Sequence, residues 1–255
     1  MAKDSVDDMY LGCDEAMMDK VHQTYLEGEQ KRDAEAWKNA IEKVQKKVKD
    51  EKDVALTKLH LQAICVYTSN GVYVKFNKAV RTDRSNYRSS FMFHSLHYLL
   101  TTAIQILNSN HNCETTYRRT NVKLTGSVGQ SIRLGSFAST SRLTNLDNFG
   151  NETCFEIKTC TGAYLKNYSC FEKNQEEVII PPYEMFNITK KIDGHGKHEQ
   201  LSDCKVVYVL ESGGGKSELN CELIGKWETN SSATHSAIFT PLILLAQLNF
   251  LNAII

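Results

Sequence analysis

Residues 91–107 read FMFHSLHYLLTTAIQIL. Apolar side chains fall on every side of a 3.6-residue period here, and the polar residues are too few to make a solvent face. The segment is therefore predicted to be a buried helix. N-terminal to it, from Asp14 to about Gln62, Met18, Val21 and Tyr25, then Trp37, Ile41, Val44 and Val48, recur at steps of three or four with dense charge between them. Such spacing predicts amphipathic helices that pack on the buried one. C-terminal to it, beyond Cys113, the texture changes to short runs rich in Val, Ile, Thr, Phe and Tyr, punctuated by Gly, Asn and Pro. Strands are predicted at Val122–Leu124, Cys154–Thr159, Glu177–Ile180, Met185–Thr189 and Val206–Leu210. The expected fold is α+β: a helical N-terminal half packed on a predominantly β C-terminal half within one domain.

The chain has 255 residues, 41% of them hydrophobic, enough for one self-sufficient core without a structural metal. Its 30 basic and 30 acidic residues cancel, so no long-range field draws it onto a polyanion, and nucleic acid is not an expected partner. Eight cysteines are too sparse for a disulfide-knit miniprotein, yet more than a cytosolic chain of this size usually carries. No C-x-x-C pair occurs, and His94 with His97, or His195 with His198, lack cysteine or carboxylate partners at zinc-site spacing, so no metal is expected.

After Glu228 no Asp, Glu, Lys or Arg occurs, and Ala237–Ile255 is almost wholly apolar. The small residues Asn230-Ser231-Ser232-Ala233 precede this tail, a pattern that fits a glycosylphosphatidylinositol signal at 229–255 behind a domain at 1–228. A tail anchor or a buried last helix would give a similar pattern. A lipid anchor requires entry into the secretory pathway, and the acidic stretch Met1–Cys13 does not look like a leader, so one is expected upstream. Sequons at Asn151, Asn167, Asn187 and Asn230 lean the same way. The expected location is the extracellular face of the plasma membrane, with the chain a monomer.

Ser212-Gly-Gly-Gly-Lys216-Ser217 resembles the end of a phosphate-binding loop but fails the test. Leu210 stands where the first glycine is needed, and Glu218–Ile224 reads as strand where a helix should begin. A glycine-rich hairpin is the expected structure. No G-x-S-x-G elbow or histidine-centred base pair marks a hydrolase. What remains is a distributed set: Arg118 after Cys113 and Tyr117, the hydroxyl run Ser139-Thr140-Ser141, and Gln175-Glu176-Glu177 before Val178-Ile-Ile-Pro-Pro-Tyr. Singly, each reads as ordinary surface or edge-strand polarity.

Together and in this order they resemble the vertebrate ecto-mono-ADP-ribosyltransferase family, whose signature is Arg, then Ser in a Ser-x-Ser strand, then Glu-x-Glu. The resemblance extends through Tyr10–Cys13, Val66–Thr68, Tyr73–Arg81, Phe93–Thr101, Ile132–Ser139, Ile157–Gly162 and Val178–Glu184, nearly the whole chain up to Cys221. It implies a cleft between two β-sheets that binds NAD or NADP as substrate, cleaves the nicotinamide–ribose bond and transfers ADP-ribose to a protein side chain, in this family usually arginine. By the same resemblance, Arg118 grips the pyrophosphate, Ser139 holds the strand end and contacts the ribose, and Glu177 stabilises the cationic sugar. Phe149 stacks on nicotinamide; Tyr67, Ser136 and Ser169 are further expected NAD contacts. The position that receives the acceptor guanidinium is Gln175 rather than Glu, which leaves transfer to water, as in an NAD glycohydrolase, as an alternative. Arg119 stands where the family usually has Gly, so it either adds to phosphate binding or crowds it. If it blocks the cleft, a catalytically silent cell-surface binding protein results. Disulfides Cys13–Cys221 and Cys113–Cys160 are implied; Cys65, Cys154, Cys170 and Cys204 remain open between further pairs and free thiols.

Overall fold

The computed structural model describes residues 2–47, 50–69, 71–171 and 175–225. Helix α1 (Asp14–Lys20) runs through a π-turn at Val21–Tyr25 into α2 (Leu26–Arg32), followed by α3 (Ala34–Gln45), α4 (Lys58–Thr68), α5 (Tyr73–Thr82) and α6 (His94–Leu107). As its composition requires, α6 is buried from His94 through Ile104. Its first turn leaves backbone donors that no N-cap side chain satisfies, and the buried Glu29 of α2 supplies the acceptor, receiving the amides of Ser95 at 2.6 Å and Leu96 at 3.2 Å.

The strands are β1 (Glu114–Thr120), β2 (Ser131–Arg133), β3 (Ala138–Ser141), β4 (Thr153–Thr159), β5 (Ala163–Tyr164), β6 (Glu177–Ile180), β7 (Glu184–Asp193) and β8 (Val206–Gly215). They lie in the order β2-β7-β8-β4-β1-β3-β6-β5, with β4 and β8 parallel and the other neighbours antiparallel. Strand β1 pairs with β4 along its whole length, from Glu114↔Thr159 to Thr120↔Thr153, but with β3 only at Tyr117↔Ser141. The two expected sheets are thus two segments of one mixed sheet, joined at a single residue pair. Helices α3 to α6 share a core with Phe137 and Ile179, and a second core holds Phe155, Phe186, Tyr208 and Leu210.

Three expectations need correction. Val122–Leu124 is not a strand: the β1–β4 ladder ends at Thr120↔Thr153, and Val122 and Leu124 are exposed. Ser212–Gly215 is not a hairpin turn but the end of β8, paired with β7 through Phe186↔Ser212 and Glu184↔Gly215 across a bulge. Glu218–Ile224 forms turns rather than strand. Its amides at Glu218 and Leu219 are drawn to the buried Asp7 carboxylate, and that of Cys221 to Asp8 at 2.9 Å.

All eight cysteines pair: Cys13–Cys221, Cys65–Cys170, Cys113–Cys160 and Cys154–Cys204. Asn151, Asn167 and Asn187 are exposed, as glycan acceptors must be; Asn230 and the segment 229–255 lie outside the described residues. No helix among the described residues is long and apolar enough to cross a membrane.

Candidate active site

The joint between the two sheet segments builds the site. Side chains alternate along β1, so Tyr117 and Arg119 share one face and Arg118 takes the other. Where β1 and β3 lose their ladder, the Arg118 guanidinium spans the gap and donates through Nη1 to the Ser139 carbonyl oxygen. The β3–β6 register sets Ser139 opposite Ile179 and Ser141 opposite Glu177. Just before β6 the chain turns through Glu176 at φ +44°, a conformation that a non-glycine residue adopts only when its surroundings enforce it. The enforcing bonds are Arg142 N–H to the Glu176 carbonyl at 3.1 Å and the Ser141 hydroxyl to the Gln175 carbonyl. Through this turn the side chains of both Gln175 and Glu177 reach one cavity.

The Glu177 carboxylate accepts the Ser169 hydroxyl at 2.8 Å. Burial pushes its pKa above the ordinary carboxylate value, while hydrogen bonds from Ser139 and Ser169 pull back towards the ionised form. Ser169 is itself fixed from several sides. Lys47 donates to its carbonyl at 2.9 Å, Cys170 is tied to Cys65 on α4, and the Cys170 amide donates to Thr68 Oγ1 at 2.8 Å. Tyr67 on α4 is buried, and burial pushes its phenol well above the ordinary value; its oxygen accepts from Asn77 Nδ2 at 3.4 Å.

Of the residues singled out from sequence, Arg118, Ser139, Glu177, Tyr67, Phe149 and Gln175 line a single cavity of about 290 Å³. Phe149, 44% exposed, stands at its mouth. Ser136 lies instead in an adjoining cavity of about 550 Å³ that shares Tyr73 and Arg118 with the first. There it accepts Arg81 Nη2 at 2.7 Å. Asn77 and Lys78 of α5 line the same cavity, and the buried Asn77 Oδ1 has no hydrogen-bond partner in the protein. Sequence reasoning did not name Tyr73, Asn77, Lys78 or Arg81 as site residues. The signal was present, since Lys78 and Arg81 are cations three apart on one helix face beside an amide. Leu143, Leu146 and Phe171, which also line the first cavity, carried no such signal.

Arg119 also lines the first cavity, but its guanidinium is engaged by the protein itself. Its guanidinium forms a fork onto Asp203, with Nη1 to Oδ2 at 2.7 Å and Nη2 to Oδ1 at 3.0 Å, and donates to the Thr144 carbonyl from Nη2 at 2.7 Å and Nε at 3.0 Å.

A family model described as NAD:arginine ADP-ribosyltransferase matches residues 1–205. Human ecto-ADP-ribosyltransferase 4 is 34% identical, covering 100% of this chain and 80% of its own length. Bovine ecto-ADP-ribosyltransferase 5 is 33% identical over 98% of this chain and 86% of its own, and chicken NAD(P)(+)--arginine ADP-ribosyltransferase 2 is 30% identical over 89% and 74%. The crystal structure of the eukaryotic mono-ADP-ribosyltransferase ART2.2, as a point mutant in complex with NADH, superposes with a TM-score of 0.71 at 29% identity, covering 87% of this chain and 96% of that one.

Proposed function

The chain belongs to the NAD:arginine ADP-ribosyltransferase family, and from that premise we propose how its residues divide the work. It is a mono-ADP-ribosyltransferase with NAD as substrate, and it transfers ADP-ribose to a protein acceptor. Breaking the bond between nicotinamide and ribose leaves positive charge on the sugar, so a carboxylate against the ring lowers the barrier. Glu177 supplies it. Ser139 and Ser169 hold its oxygens, so the charge is aimed before substrate arrives. Arg118, between the two cavities, takes the pyrophosphate through a planar fork of donors. Lys78, Arg81 and the unpartnered Asn77 Oδ1 suit the adenosine side, and Phe149 the nicotinamide side. Gln175, beside Glu177, meets the acceptor. Its amide oxygen can accept from an arginine N–H but carries no charge to hold a guanidinium, so water competes with arginine here.

The observation that carries this reading is the half-buried Glu177 carboxylate, bonded by a serine hydroxyl, in one cavity with Arg118. Incubating the secreted chain with NAD, with and without a small guanidino acceptor, tests it. Wild type is expected to form the ADP-ribosyl adduct, and Glu177→Gln to lose on the order of a hundredfold or more in turnover. Turnover by Glu177→Gln near wild type overturns the role assigned to Glu177.

Like its ecto-enzyme relatives, the chain works on the extracellular side of the cell. Four disulfides and the exposed sequon asparagines support this setting. We take residues 1–228 as the catalytic domain, 229–255 as a lipid-anchor signal that tethers it to the membrane, and the enzyme as a monomer without nucleic-acid partners. The apolar tail supports the anchor, and the balanced charge supports the lack of a nucleic-acid partner.

A further inference from the structure

We propose that Arg119 is a positioning residue, which pins the Leu143–Phe149 loop in the shape that closes the nicotinamide end of the cavity. This rests on the reading of that cavity as the NAD site. The loop leaves β3 at Ser141 and re-enters the sheet at Thr153, and it brings Leu143, Leu146 and Phe149 to the cavity wall. Its apolar side chains contribute the wall, so its course depends on how its backbone is held.

Arg119 grips the loop at two points. Two of its nitrogens donate to the Thr144 carbonyl, and Nη2 lies 3.4 Å from Asp147 Oδ1 at the start of the short helical turn that ends in Phe149. The arginine cannot swing to follow the loop, because Asp203 holds its other edge in a fork and its side chain is only 4% exposed. Nor is Asp203 free, since it adjoins Cys204, which is bonded to Cys154 on β4. Arg119 and Cys154 are cross-strand neighbours. A rigid frame of two paired strands and one disulfide thus reaches Thr144 and Asp147 through the Arg119 guanidinium, while the Glu152 amide on the Thr120 carbonyl and the Lys205 amide on the Asn151 carbonyl hold the far end of the loop. In keeping with this grip, the guanidinium holds the Asp203 carboxyl below its usual range. Four N–H donors in a fixed plane serve Thr144 and Asp203 together, which lysine cannot do. A glycine at 119 would leave the Thr144 carbonyl and the Asp203 carboxylate without this partner.

Two measurements on the full secreted chain test the pin. The first is amide hydrogen exchange, which needs no ligand. Arg119→Gly and Asp203→Asn are expected to speed exchange across 143–150 by about tenfold or more, with α4 and α6 unchanged. Wild-type exchange rates in the loop overturn the proposal. The second is NAD turnover. A loosened wall raises KM for NAD by about tenfold, with kcat altered less than threefold, because the Glu177 charge is untouched. Arg119→Lys should fall between wild type and Arg119→Gly, and the double variant Arg119→Gly/Asp203→Asn should be no worse than Arg119→Gly alone, since both act on one link. A fall in kcat at unchanged KM, or additive losses, counts against the pin. Should Arg119→Gly not fold, Asp203→Asn decides alone, as that carboxylate is 41% exposed and its amide keeps the shape. If wild type consumes no NAD, the NAD reading falls, while the exchange data still decide whether Arg119 holds the loop.

Discussion

Glu177 and Gln175 show how much one functional group changes at a fixed backbone position. Both side chains face the cavity because Glu176 is held at positive φ between them. The carboxylate at 177 has hydroxyl partners, and the amide at 175 lines the same cavity, where the proposed reading has the acceptor approach. Gln175→Glu adds a charge that can pair with a guanidinium, so the ratio of arginine adduct to free ADP-ribose is expected to rise by about tenfold. An unchanged product ratio, measured with NAD and a small guanidino acceptor, would remove Gln175 from the acceptor site. From sequence, the Arg, Ser and Glu were legible as a pattern. The committed state of the Arg119 guanidinium was not, because its partners Thr144 and Asp203 are 25 and 84 positions away in the chain.

At the scale of elements, the site exists because a ladder stops. Strand β1 reads ETTYRRT, with no apolar alternation to mark it, and it is a strand because β4 pairs with all seven of its residues. Hydroxyls take over where it parts from β3, as in the 2.7 Å bond from Thr116 Oγ1 to the Ser141 carbonyl. By contrast, α6 and β6 were placed from sequence, since a wholly apolar helix and a Val-Ile-Ile run before Pro-Pro allow few alternatives. The far end of the pinned loop turns at Gly150, where φ is +111° and an added Cβ would lie 2.6 Å from the Asn121 backbone nitrogen. Gly150→Ala is therefore expected to cost about 2 kcal/mol of stability in chemical denaturation and to raise KM for NAD by displacing Phe149. Wild-type values for both would show that the loop tolerates a different path.

For the whole molecule, the buried titratable groups set a pH range. Burial lowers His60 and His94 to about 4 and His97 to about 3, so from pH 6.5 downward the unfolded chain takes up protons that the folded one refuses, and stability falls. Burial raises Asp8 to about 6 and Glu29 to about 7, so between pH 4 and 7 the folded chain binds protons that the unfolded one has released, and stability rises on acidification. Three histidines outweigh two carboxylates between pH 4.5 and 6, so stability falls on acidification by on the order of 1 kcal/mol per pH unit. Thermal unfolding of the intact chain should show Tm rising from acid up to about pH 7.5, where the two contributions cancel. Glu29→Gln should steepen the acid-side fall, and an unaltered slope would mean that Glu29 stays ionised across that range.

What the sequence determined by itself is local. Periodicity of three to four marked the helices before Gln62 and α6, β-branched runs before turn residues marked β4, β6, β7 and β8, and the order of Arg118, Ser139 and Glu177 carried the resemblance to the family. Tertiary structure decided what depends on residues far apart meeting. Asp7 and Asp8, within the acidic stretch Met1–Cys13, are fully buried, because that stretch meets residues 218–221 beside Cys13–Cys221 and the amides there need acceptors. The pairing of Cys65 with Cys170 and Cys154 with Cys204, and the capture of Arg119, follow the same rule. A buried charge or thiol is settled by its spatial partner, and a one-dimensional spacing does not specify which partner that is.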